Sequence, residues 1–140
     1  MRLRAGRWCS EVGSGMPIYR LYSGEDGASH IEEMTAAGFA FESGPGEFKG
    51  VAGTVLGEAS RVLLMRFEPG VRPPLHRTQT GLAVLLEGEL TVAVSDGVEV
   101  GLRPGDTVRI ESTGEGGWAP SNPGEGLALL ALVQMPPRVA

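Results

Sequence analysis

The chain is 140 residues long, 41% hydrophobic and 21% charged, with 22 glycines, 10 prolines and a formal net charge of −5. This length points to one domain with its own core, and the glycine and proline content suits short strands joined by tight turns better than a helical bundle. The acidic balance argues against nucleic acid, the lone Cys9 against an internal disulfide or a several-thiolate zinc site, and the lack of any apolar run of about eighteen residues against a membrane-spanning helix.

In chain order, residues 1–15 differ from the rest of the chain: they carry three arginines and a Trp and end in Gly-Ser-Gly. They read as a disordered extension, and their lack of an apolar centre argues against a secretory signal. The cytoplasm is the expected compartment. Residues 16–59 are expected to contribute N-terminal strands and a long loop to the barrel, and residues 60–137 its core. Residues 17–22 alternate as a strand, Ser-Gly-Glu-Asp-Gly is a turn, and His30-Ile31-Glu32 resumes a strand. Met34 to Phe41 is read as a brief helical turn ended by Gly44-Pro45-Gly46, and an edge strand is placed near Thr54–Leu56 in an otherwise Gly-rich loop.

The pattern sharpens after residue 60. Arg61–Phe67 is a strand, Pro69-Gly70 a turn and Pro73-Pro74 an extended corner before His76. Leu82–Leu86 is a continuous apolar run, expected of a strand buried on both faces. Leu90, Val92 and Val94 alternate as a half-buried strand. Ser95-Asp96-Gly97 is a hairpin turn into Val98–Leu102, and Pro104-Gly105-Asp106 turns into Thr107–Ile110. Residues 111–126 read as a loop containing Trp118, and Leu127–Val133 as the final strand. Strands every eight to twelve residues predict an all-β sandwich or barrel.

The stretch Pro69-Gly70, then His76, then Leu86-Glu87-Gly88-Glu89-Leu90, then Pro104-Gly105-Asp106 resembles a small single-domain cupin over residues 60–134. The opening MPIYRLYSGEDGASHIEE also resembles small bacterial cupin-domain proteins. The resemblance implies a double-stranded β-helix, a jelly-roll barrel with a pocket in its mouth, and a homodimer. Metal-binding members of the family carry two histidines one residue apart, a glutamate and a later histidine, which suit a transition metal. Here only His76 matches. The second histidine position is Thr78, the glutamate position falls at Gly81 or Leu82, and the later histidine at Gly117 or Trp118. Glu87 and Glu89 lie past the ligand position, Glu111 and Glu115 are loop carboxylates that could approach the mouth beside His76, and one imidazole does not hold a metal tightly. No metal and no cofactor are therefore expected.

What remains is a metal-independent barrel that binds a small molecule. His76 is a general base for an isomerisation, cyclisation or dehydration, a polar handle for a ligand, or a structural histidine at a strand end. Alternation would put Thr78 and Thr80 on the face of His76, unless the strand begins only after Thr80. Arg66 either faces solvent or is an inward charge needing an anionic partner. Trp118 either caps the pocket mouth or packs on the rim, and Gln134 is an inward amide for a ligand or a solvent-facing one. Two other classes stay open: a metal-dependent oxygenase or isomerase with atypical ligands, and a non-catalytic sensor or structural dimer.

Overall fold

The computed structural model describes residues 2–4, 18–34, 42–43, 50 and 52–136. Among them the strands are, in order, β1 (Arg2–Arg4), β2 (Ile18–Ser23), β3 (Ser29–Met34), β4 (Glu42–Ser43), β5 (Ala52–Gly53), β6 (Arg61–Phe67), β7 (Gly81–Glu87), β8 (Leu90–Val94), β9 (Glu99–Leu102), β10 (Thr107–Ile110), β11 (Trp118–Ser121) and β12 (Ala128–Gln134). A large sheet runs β3-β2-β10-β7-β12-β6 and a small one β1-β9-β8-β11, with β4 and β5 paired apart. Period-two alternation turns one apolar face of each sheet inward. The two faces close on a core that includes Tyr19, Leu21, Leu85, Val108, Ile110 and Leu130 from the large sheet and Leu90, Val92, Val100 and Trp118 from the small one. The architecture is the all-β double-stranded β-helix expected from the sequence.

Several elements differ from expectation. Arg2–Arg4, inside the expected extension, pair in parallel with Glu99–Gly101; the rest of residues 1–15 lies outside the described residues, as does 35–41 of the expected helical turn, whose first residue, Met34, ends β3. The short strand at Ala52–Gly53 falls two residues before the expected one. Trp118–Ser121 is a strand where a loop was expected. Flanking glycines and Pro120 hide it, yet β11 is an edge of the small sheet, where a missing N–H is tolerated. β7 is not buried on both faces. Ala83 and Leu85 are buried, while Leu82 and Val84 are half-buried and Leu86 is exposed, because no second layer covers the outer side of the large sheet among the described residues.

The Pro104-Gly105-Asp106 turn stacks on β7. Gly105 N donates to Leu85 O at 2.6 Å, and Leu85 N donates to Asp106 O at 3.1 Å. The Asp106 side chain is buried, and its Oδ2 accepts from Arg103 N at 2.8 Å. Its Oδ1 meets no hydrogen-bond partner among the described residues. Burial, assisted by Glu33, holds this carboxyl above its usual range despite the Arg103 contacts. The folded chain therefore binds this proton more readily than the unfolded one. The stabilisation is present below the unfolded pKa and is lost as pH rises through the folded value. Asp106→Asn keeps the acceptor for Arg103 N and removes the buried charge, so it is expected to stabilise the protein by about 1 kcal/mol at pH 7, with the gain fading toward pH 4. Asp106→Ala loses the acceptor and is expected to cost about 1–2 kcal/mol. Urea unfolding of both variants at the two pH values checks the pair.

Candidate functional site

The corner that carries His76 is a loop, not a strand. β7 begins only at Gly81, and His76 joins the sheet system through a single antiparallel bridge to Trp118. His76 N donates to Trp118 O and Trp118 N to His76 O, both at 2.9 Å. The His76 ring is exposed and its Nδ1 lies 2.9 Å from Pro74 O, the stiff carbonyl two residues before it. The shared polar face of His76, Thr78 and Thr80 does not form. Thr78 N donates to Thr113 Oγ1 at 3.1 Å, and Thr80 Oγ1 donates to Glu111 O at 2.9 Å. Both threonines tie this loop to the segment after β10.

The other candidates are dispersed. Trp118 neither caps the mouth nor packs on the rim: it is 2% exposed and belongs to the core. Its Nε1 has no hydrogen-bond partner among the described residues. Arg66 lies on the outer face of β6, mostly exposed, with Nε 3.6 Å from Glu68 Oε2. Gln134 continues the inward series Ala128, Leu130 and Leu132 to the end of β12, where it is half-buried.

The ligand positions of a metal-binding cupin do not fit a metal. Thr78 is bound to Thr113, and Leu82 lies on the outer alternation of β7. A Cβ at Gly81 would collide with the Val133 carbonyl, and one at Gly117 would lie 2.6 Å from His76 O. Neither position has room for the glutamate or histidine it would need. Among the described residues, no three His, Cys, Asp or Glu side chains gather to hold an ion.

A cavity of about 440 Å³ opens elsewhere, on the outer face of the large sheet. Leu82, Arg109 and Met135 line it from the sheet side, Leu56 and Glu58 from the segment before β6, and Thr80 from the His76 loop. Glu111, also in its wall, is held by a guanidinium fork: Arg20 Nε donates to Oε2 at 2.8 Å and Nη2 to Oε1 at 3.0 Å. Arg20 Nη1 reaches Glu32 Oε1 at 3.1 Å, and the Glu111 contact raises the Arg20 pKa above its ordinary value. Of the ligand-binding candidates only Thr80 is in this wall. Glu111, which the sequence offered only as a loop carboxylate near the mouth, stands in the wall, and Arg20 and Arg109 were missed because a parallel pairing of distant strands, Arg20 beside Arg109, brings them together, and no local pattern signals it.

The turns of the resemblance now have places. Gly70 N donates to Asn122 O, Gly88 takes φ +84 against Leu127 and Ala128, and Pro104-Gly105-Asp106 caps β7. They are the corners at which the chain passes along and between the two sheets. The barrel is a double-stranded β-helix, the fold that the resemblance implied. The Drosophila melanogaster CENP-C cupin domain is similar over 92% of this chain and 84% of that one, at 20% identity and TM-score 0.41. The crystal structure of Drosophila melanogaster CENP-C bound to CAL1 is similar over 81% and 73%, at 17% identity and the same TM-score of 0.41. No protein-family model and no curated protein matches the sequence. Among the described residues, side chains from both sheets pack the interior, and the cavity lies on the outer side of the barrel wall.

Proposed function

We propose that this cupin is a metal-independent binding domain that takes a small molecule in the cleft beside Leu82 and Met135 and works as a homodimer. The cleft carries the reading: about 440 Å³ with an apolar floor and a few polar groups is the usual make-up of a small-molecule site. Leu56, Leu82 and Met135 suit an apolar body, while Thr80, Glu58 and Arg109 put polar groups in the wall. Glu111 is already neutralised by Arg20. The ligand class that fits is an uncharged, compact aromatic or aliphatic molecule with one or two polar groups. The acid–base step assigned to His76 is not part of this proposal, since its ring faces solvent outside the cleft wall. The acidic net charge supports a ligand other than nucleic acid, and a cytoplasmic setting accords with the single cysteine.

A fragment set of uncharged aromatic amides and alcohols, screened by thermal melting, tests the reading. A fragment at a hundred times its Kd adds about 2.7 kcal/mol. Leu82→Trp fills the cleft from its floor and is expected to abolish those shifts. A set with no stabilising fragment, or shifts that survive in Leu82→Trp, overturns it.

The homodimer rests on the apolar half of the outer face, which borders the cleft and shares Leu82 with it. Registered rows carry Leu82, Val133 and Val62 side by side, and Val84, Ala131 and Leu64 beside them. Val62 is 69%, Leu64 65% and Leu86 49% exposed. Contiguous apolar surface of this kind marks association sites.

A further inference from the structure

His30 sits where the two sheets meet at one end of the barrel. It belongs to β3 of the large sheet, and its Nδ1 lies 2.7 Å from Oδ2 of Asp96, in the β8–β9 turn of the small sheet. Its Nε2 lies 3.0 and 3.1 Å from the two carboxylate oxygens of Asp26, in the β2–β3 turn. Both carboxylates are fixed by backbone donors: Ala28 N donates to Asp26 Oδ1 at 3.1 Å, and Val98 N to Asp96 Oδ1 at 2.9 Å. Gly24 makes the space, since a Cβ there would stand 2.7 Å from the imidazole. Tyr22 of β2 stacks on the ring at 5.4 Å, and Arg20 lies over Tyr22 at 4.1 Å with its charge taken by Glu111 and Glu32.

A neutral imidazole has one N–H, and a carboxylate has none to offer. With both ring nitrogens against carboxylates, the neutral ring must turn a lone pair toward an anionic oxygen, while the charged ring donates on both sides. We propose that His30 is a pH-operated latch between the two sheets: protonated, it clamps the β2–β3 turn onto the β8–β9 turn, and on losing its proton it lets that end of the barrel open. Next to the latch lies a second tie that shares its fate. Ser29 N donates to Ser95 Oγ at 2.8 Å, Ser95 N to Ser29 Oγ at 2.8 Å, and Ser29 Oγ to Gly117 O at 2.7 Å. Release therefore loosens the contact over Gly117, the residue before Trp118.

The direction comes from linkage. Asp26 and Asp96 raise the His30 pKa above its ordinary value. The stabilisation is fully present below the unfolded pKa of histidine, about 6.5, and is lost as pH rises through the higher folded value. Amide exchange between pH 6 and 10, with the intrinsic base-catalysed rate divided out, reads the latch directly. In the wild-type protein the Ser29 amide is expected to lose about tenfold or more of its protection across the transition, while the Val92 amide in the core holds. His30→Gln is expected to show low, pH-independent protection at Ser29. Asp96→Asn, which keeps the turn but weakens the charge, is expected to move the loss to lower pH. Flat protection in the wild type, a wild-type profile in His30→Gln, or an unmoved transition in Asp96→Asn overturns the proposal. The wild-type and Asp96→Asn measurements stand even if His30→Gln does not fold.

Discussion

Gly117→His, which puts histidine back at the family's late ligand position, is expected to destabilise the barrel by about 3 kcal/mol or more and to bring no metal with it. Gly117 has φ +73, and a Cβ there would lie 2.6 Å from the His76 carbonyl oxygen and 2.8 Å from its carbon. The left-handed backbone costs a non-glycine residue about 1–2 kcal/mol. Displacing a backbone in a packed setting adds about 1–3 kcal/mol. The displaced backbone is itself a paired one, bonded both ways to Trp118, and Gly117 N also donates to Thr113 O at 3.0 Å. No side chain can relax to absorb the collision. Urea unfolding measures the loss, and mass spectrometry after incubation with iron, manganese or zinc measures the metal. A variant as stable as the wild type with one equivalent of metal bound contradicts the reading of this site.

If the chain pairs through this face as proposed, Leu64→Glu is expected to weaken self-association at least about a hundredfold, because a buried carboxylate without a partner costs several kcal/mol. Leu64 is the middle residue of β6, the last strand of the large sheet, and β6 pairs on its other side with no strand among the described residues. Edge strands are ordinarily blunted by charge or proline. Here Val62 and Leu64 stand on the edge instead, and Arg66 comes only two residues later. With strands about 4.8 Å apart and alternate residues about 7 Å apart, the two apolar rows across three strands cover roughly 200 Å². A polar rim would extend that centre toward the roughly 800 Å² per partner of a standard interface. Light scattering at tens of micromolar gives the mass of each form. Since Leu64 is largely exposed in one chain, circular dichroism should show the variant folded. A monomeric wild type, or a variant that dimerises unchanged, contradicts the homodimer.

The fold was legible because its signals are local. Alternation in Leu90–Val94, the Asp96-Gly97 turn and the Pro104-Gly105-Asp106 turn each state their own structure within a few residues, and the strands lie where those patterns put them. Trp118 was misread for the same reason. Beside Gly116, Gly117 and Pro120 it looks like loop, and only its pairing with Val94 across the small sheet makes it a core residue. The apolar run at Leu82–Leu86 shows the limit of hydrophobicity as a signal. It marks a strand, but it cannot distinguish a face covered by the chain itself from one left for another molecule. The candidate site was largely illegible. Its wall is assembled by β10 pairing with β2 and β7 at once, a long-range event that leaves no mark at Arg20, Arg109 or Glu111 taken singly. His76, the one residue the family pattern singles out, keeps its place in the sequence but turns its ring outward once its backbone is paired with Trp118.

The position of β12 bears on how the chain is made. It lies between β7 and β6, pairing with both, although in chain order it follows every other described strand. Until it emerges, β6 and the apolar row of β7 have no neighbour on that side, and β2 likewise waits for β10, far downstream in the chain. The β3-β2-β10-β7 part of the large sheet can pair before β12 emerges. However, β6 can join it only through β12, a late long-range step, and a chain stalled before β12 presents the unpaired edges of β6 and β7 to whatever binds it first.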